Sequence, residues 1–245
     1  MSSNPHNQAL LQILNASTPT TIAEVITTME AIDSLLPNGD GLKWFNLLYK
    51  MVTVAVVNNP PPQGWNDPQW ISRLDVIFAR LYFDAISSSI QNSGATPRAW
   101  QALFEARFNA GIDRVQFALC GMNAHINHDL PLALVQLSTE LQMAPDDNSP
   151  QHADFQSVNN ILDVVEPEAM QILATGLVGQ VSQHLGRLDD VLAMWKVRKA
   201  RDTSWTNAEI LWQIRSVQLL RNKFLRTLDR LTGFAGRGLL ISIDH

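Results

Sequence analysis

One pattern runs along almost the whole chain and limits its fold more than any other feature: apolar residues recur at helical spacing. Ile22, Val25, Ile26, Met29, Ile32 and Leu36 lie near i, i+3, i+4 positions, the signature of a helix with one buried stripe. Trp70, Leu74, Ile77, Phe78, Leu81 and Ala85 repeat it between Pro68 and Ser89. Neither a strand-plus-helix alternation nor a repeat of fixed period interrupts this pattern, so no parallel sheet or solenoid is expected. The expectation is an all-α fold: a single-domain bundle of roughly nine or ten helices spanning 1–245. Residues 1–8 and 239–245 read as flexible or arm-like, the latter as a short extended tail.

Breakers and caps divide the pattern. Thr20 or Thr21 caps the helix that Pro37-Asn38-Gly39 ends. Leu42 to Val57 is apolar nearly all round and reads as a buried helix whose Thr-Val-Ala-Val-Val end also has strand character. Thr96-Pro97 opens a helix to about Asn109. An apolar segment then runs from Ile112 to about Leu141, and Pro131 is expected to kink or divide it. After a loop from Met143 to Gln151, helical stretches follow at Asp154–Val165, Glu168–Leu177 and Val178–Val197. The last long helix is expected from about Asn207 to Leu231, broken by Gly233, Gly236 and Gly238, with Leu239–Ile243 extended.

Composition narrows the function classes. With 46% hydrophobic residues the chain can build a full core, which excludes a disordered protein. A single cysteine excludes a disulfide framework and a cysteine-based zinc finger. No apolar run approaches the roughly 18 residues that span a bilayer, and the N-terminus lacks a basic n-region. A cytoplasmic protein without membrane association is therefore expected. The net charge of −5 argues against a nucleic-acid partner. That charge is uneven: residues 1–186 hold 7 Lys/Arg against 17 Asp/Glu, whereas residues 187–237 hold 11 against 5. The basic stretch pairs with earlier acidic helices, or else Lys196, Arg198, Lys199 and Arg201 form an anion site.

Chemistry concentrates in Gly121-Met122-Asn123-Ala124-His125-Ile126-Asn127-His128-Asp129-Leu130, inside an otherwise apolar helix. Polar groups buried there without partners cost about 1–3 kcal/mol each, so they need a reason. Helical spacing sorts them into two stripes. Gln116, Cys120, Asn123 and Asn127 share one; Arg114, Ala118, Gly121, His125 and His128 or Asp129 share the other. His125 and Asp129 stand four residues apart and reach one point above the helix. An imidazole and a carboxylate so placed suit a divalent metal (zinc, manganese or iron) or general acid–base catalysis. His128 is a further metal candidate, and Asn123 and Asn127 are candidates to position substrate or water. His152, Asp154, His184, Asp189 and Asp84 are available as additional ligands. The competing structural reading makes Asp129 the cap of a helix starting at Pro131, and the Asn and His side chains a buried hydrogen-bond network.

The decapeptide resembles the signature of a bacterial family of unknown function, Gly-Met-Asn-Ala-His-Ile-Asn-x-Asp-Leu. Phe78, Tyr82-Phe83, Ala85, Trp100, Asp154, Asn159, Arg201, Trp205 and Ala208 also fit that family's pattern. The resemblance implies an all-α single domain and no particular activity. More loosely, His125 and Asp129 are similar to the His-x-x-x-Asp helix of zinc-dependent phospholipase C and P1-type nucleases, all-α enzymes that hydrolyse phosphoesters with zinc. A second such pair is missing, because His184 to Asp189 is one residue too long; one or two metals are what the likeness allows.

Three functions follow as expectations. The first is an enzyme built on His125 and Asp129, nominally for metal-assisted hydrolysis of a small substrate. The second is a metal-free cyclase or lyase acting on a small metabolite, with His125 as acid or base in a pocket lined by Trp44, Trp65, Trp70 or Trp100. The third is a helical ligand-binding or scaffold protein.

Overall fold

The computed structural model describes residues 5–16, 18–174 and 197–241, and everything in them that is regular is helical. The helices are α1 (Pro5–Ala16), α2 (Ile22–Leu35), α3 (Gly41–Asn58), α4 (Pro68–Ile90), α5 (Arg98–Ala106), α6 (Arg114–Ala124), α7 (Leu130–Leu141), α8 (Pro150–Ala174), α9 (Val197–Gln213) and α10 (Gln218–Leu239). A π turn, His125–Asp129, joins α6 to α7. The all-α expectation holds, and the Leu42–Val57 stretch is a helix, not a strand.

Local chemistry sets most of the boundaries. Thr21 caps α2 in a capping box with Glu24, whose carboxyl is held below its usual range by hydrogen bonds from Thr20 and Thr21. Asp67 caps α4 ahead of Pro68, accepting from the Trp70 amide at 3.0 Å. Asp40 caps α3, and its carboxylate also takes the Arg107 guanidinium, 2.6 Å from Nη2 to Oδ2, in a fully buried pair.

Pro131 divides its segment as expected: α6 gives way to the π turn, and α7 starts at Leu130 with Pro131 in its first turn. Three expectations change. Pro167 sits inside α8, which runs unbroken where two stretches were expected. The Asn207–Leu231 helix is two helices, reversed at 214–217 through a turn in which the Val217 amide bonds the Ile214 carbonyl at 2.9 Å. Gln213-Ile214-Arg215-Ser216 holds no glycine or proline, and docking of α9 on α7 and of α10 on α5 decides the break. Finally, Gly233 and Gly236 do not end the last helix. They let it approach closely, since a Cβ on Gly233 would lie 2.5 Å from the Arg98 carbonyl oxygen. The helix therefore extends to Leu239. The Val178–Val197 stretch lies outside the described residues except for its last position.

The segment carrying the polar decapeptide is central. α6 packs on α3, α5, α8 and α10, and the π turn touches α4, α9 and α10. The two stripes face different neighbours, as the spacing predicts. Gln116 and Asn123 donate to the Leu239 and Thr232 carbonyls of α10, both at 2.9 Å. On the other stripe Gly121 lies against Phe45 of α3, and Arg114 stacks over Trp44 at 4.2 Å.

Candidate active site

The π turn has an identifiable cause. In an α-helix the Asn127 carbonyl would pair with the amide of residue 131, which is proline and has none. The turn widens, so that the Leu130 amide bonds His125 O, five residues back. In this register the Ile126 carbonyl also faces Pro131 and has no helical partner. Ser204 of α9 supplies one, with its hydroxyl 2.6 Å from Ile126 O and its proton shared with Ala200 O at 2.8 Å. His125 and Asp129 are the two ends of this turn, and their side chains meet.

They meet through a hydrogen bond. His125 Nδ1 lies 3.0 Å from Asp129 Oδ2, which also accepts from Trp100 Nε1 at 2.9 Å. His128 Nδ1 lies 2.7 Å from Asp129 Oδ1. One buried carboxylate thus accepts from three ring N–H groups. Beyond it, His128 Nε2 stands 3.7 Å from Asp229 Oδ1 of α10, an oxygen that also accepts from the Ala99 amide at 3.0 Å.

These contacts set the charges. Burial acts to raise the Asp129 pKa, but the bonds from His125 and His128 outweigh it and hold the carboxyl below its usual range. Burial lowers the His125 pKa and is only partly opposed by Asp129, so this imidazole is neutral at pH 7. Burial also acts to lower the His128 pKa, but its bond to Asp129 and the fields of Asp129 and Asp229 leave it raised. Asp129 is therefore an anion between a neutral imidazole and one that favours its charged form.

His125 stands in an aromatic box. Phe78 stacks on it with ring centroids 3.5 Å apart and planes within 5°, and Tyr49 meets it edge-on at 4.4 Å. Phe45, Trp100 and Tyr82 complete the box at 5.6, 6.0 and 6.1 Å. Phe78 is the least buried of these rings. Inside the box His125 Nε2 is buried and has no hydrogen-bond partner. Tyr49 Oη, Thr53 Oγ1 and Asp75 Oδ2 are in the same condition. Thr53 is one turn on from Tyr49, and Asp75 is one turn before Phe78, so these atoms belong to the same part of the core. Buried polar atoms almost always find partners, so a group without them is unusual in a core. Burial raises the Asp75 carboxyl to about 7.

The candidate residues divide into two groups. His125, His128 and Asp129 come together around one carboxylate. Asn123 and Asn127 do not join them: Asn127 Nδ2 donates to Asn123 Oδ1 at 3.1 Å, and Asn123 ties the helix to α10. A metal would need lone pairs aimed at one point. Here both Nδ1 atoms and both carboxylate oxygens are turned on each other, and among the described residues no three His, Cys, Asp or Glu side chains are placed to hold a cation. The donor set does not fit a metal held by His125, His128 and Asp129 together.

The reserve ligands are engaged elsewhere. Asp154 accepts from the Asn66 and Asp67 amides at 2.8 and 2.7 Å, His152 bonds the Asp147 carbonyl at 2.8 Å, and Asp84 is exposed. His184 and Asp189 lie outside the described residues. Of the four tryptophans, only Trp100 belongs to the box. In the basic stretch, Arg198 pairs with Asp163, and Arg201 is buried over the Phe155 ring, bonding Asn159 Oδ1 and Phe155 O at 2.8 and 2.7 Å. These two arginines serve packing, as internal pairing would have it; Lys196 lies outside the described residues.

Sequence reasoning missed Asp75, Asp229 and Tyr49. Asp75 had a signal: an acid set between Leu74 and Val76, beside the buried stripe of α4. Asp229 had one too, as the only acid of a helix rich in Arg.

Among known proteins, one family model matches over residues 22–242, that of a family of unknown function (DUF5995), and the chain belongs to that family. No curated protein and no solved structure matches the chain.

Proposed function

We propose that this member of a family without an assigned activity is a metal-free enzyme of general acid–base chemistry, a cyclase or lyase acting on a small metabolite. One observation carries the reading: His125 is held through Nδ1 by an ionised carboxylate while its Nε2 is buried and unpartnered. That is the arrangement of an oriented base, with the proton fixed on one nitrogen and the lone pair presented by the other. In a purely structural network Nε2 would be expected to have a partner.

The chemistry follows from the surrounding groups. Nε2 takes a proton from the substrate, and the imidazolium formed is stabilised by Asp129, which Trp100 and His128 hold in place. Asp75, with its carboxyl near pKa 7, is the matching acid and returns a proton to the leaving group or to the newly formed anion. Tyr49 Oη and Thr53 Oγ1 supply hydrogen bonds to the substrate's polar atoms. The aromatic walls select an apolar body.

The test combines turnover with spectroscopy. A metabolite library is screened for thermal stabilisation, and each hit is assayed with wild type, His125→Gln and Asp75→Asn. A hit converted by wild type alone, together with nitrogen shifts showing the His125 proton on Nδ1, is the expected result. Stoichiometric metal in untagged protein, lost in His125→Ala, would overturn the metal-free reading. A His125→Phe variant that folds and binds every hit unchanged would leave only the structural network.

A further inference from the structure

The outward side of α10 carries a second feature that the acid–base site does not use. Leu219, Lys223, Arg226, Arg230 and Phe234 follow one another at steps of four, three, four and four residues, so they form one stripe along the helix. Leu219 and Phe234 are 76% and 79% exposed, and beside the stripe Leu231 is 63% exposed. Large apolar side chains this open, grouped on one face, are unusual in a folded protein. The adjoining side of the helix is fixed: Gly233 and Gly236 press on α5 and α6, and Thr232 O accepts from Asn123. The stripe is thus presented rigidly.

The cations on it converge. Arg98 at the start of α5 joins Lys223, Arg226 and Arg230 around a pocket of about 350 Å³. Among the described residues none of these four makes an ion pair. Asp229, the one acid lining the pocket, is committed to the Ala99 amide and stands near His128. Among the described residues the pocket is therefore a concentration of cations without ion pairs, on a chain whose net charge is −5.

We propose that this face docks on a membrane bearing anionic phospholipids. A head-group phosphate enters the pocket among Arg98, Lys223, Arg226 and Arg230, and Leu231 and Phe234 insert at the level of the head groups. Both halves of the face are then used, since interfacial helices combine Lys and Arg with Leu and Phe, the long cationic stems reaching back to the phosphates. Charge complementarity selects this occupant. A second copy docked symmetrically would set the same cations against each other. A soluble phosphate would fill the pocket but leave the apolar flanks uncovered. No helix among the described residues is long and apolar enough to cross a membrane, and surface docking requires none.

The test uses the full chain and sedimentation with vesicles of phosphatidylcholine, with and without phosphatidylserine. The expected result is association only with phosphatidylserine present, weakened by salt. It should fall about tenfold or more in Arg226→Glu/Arg230→Glu. Leu231→Ser/Phe234→Ser should also lose association, while circular dichroism melts show both variants folded. Association with neither vesicle, equal association with both, or variants that bind like wild type would overturn the proposal. So would a wild-type dimer in analytical ultracentrifugation that Phe234→Ser converts to monomer. Calorimetry with glycerol phosphate separates the remaining source: saturable binding there without vesicle association would assign the pocket to a free phosphate and overturn membrane docking.

Discussion

Replacing Asp129 by Asn is the most informative perturbation of the buried network. Trp100 Nε1 only donates, so the amide oxygen of the variant must take the Oδ2 position, where it also serves His125 Nδ1. The amide NH₂ then occupies the Oδ1 position, 2.7 Å from His128 Nδ1. That nitrogen must give up its proton and become an acceptor, and His128 becomes neutral. One charge-assisted bond, worth about 1.5–3 kcal/mol, becomes an ordinary one, and two more lose their charge assistance. The expected net loss is about 3 kcal/mol. For a chain of this size that lowers the melting temperature by about 6–12 °C.

The pH dependence changes as well. The His128 pKa is raised on folding, so its stabilisation is complete below the unfolded value of about 6.5 and is lost as pH rises through the folded one. Wild type should therefore weaken on going from pH 6 to 9, and Asp129→Asn should lose the His128 share of that slope and keep the share that Asp75 contributes. Urea denaturation across this range, with histidine nitrogen shifts, measures both effects. A variant that melts within about 2 °C of wild type, or keeps the His128 proton on Nδ1, would refute the account of one carboxylate serving three donors.

Three further outcomes are expected. Ser204→Ala leaves the Ile126 carbonyl unpaired at the π turn and should cost about 1–3 kcal/mol in urea denaturation, whereas the exposed Thr203→Ala should change stability by less than about 0.5 kcal/mol. Gly121→Ala puts a Cβ 2.3 Å from the Phe45 ring, which the aromatic box holds in place; a loss of about 1–3 kcal/mol is expected, against almost none for Gly39→Ala, where nothing lies within 4 Å. Asp75→Asn should stabilise the protein more at pH 8 than at pH 5. Folding raises the Asp75 carboxyl from 3.8 to about 7, so the favourable protonated form is lost as pH rises through that range, and a melting difference independent of pH would contradict this.

How much of this was legible in the sequence depended on distance along the chain. Periodicity and caps are local, and they placed α2, α4 and the start of α5 closely, because Thr21, Pro68 and Pro97 act within one turn. The meeting of His125 with Asp129 was also legible, since four residues on a helix suffice. Its form was not. Whether two such groups share a metal or bond each other depends on Trp100 and His128 crowding the carboxylate, and Trp100 comes from another helix. The setting of the two asparagines was not legible for the same reason, because the partner that fixes Asn123 is a carbonyl on α10, 109 positions away. Proline and glycine misled where packing overrode them. Pro167 is accommodated inside α8, and Gly233 and Gly236 serve close approach, not termination.

The hydroxyl of Ser204 that supports the π turn comes from 78 residues further along. Order of synthesis is therefore written into the candidate site. A chain emerging from the ribosome can form α6 and the aromatic box early, but the wide turn that aims His125 lacks its brace until α9 has been made and docked. His125 is aligned late, after most of the core around it has closed. Truncation before residue 204 should give a protein with most of its helices and a misaligned histidine, and loss of the His125–Asp129 bond should be the first local sign that α9 has come away.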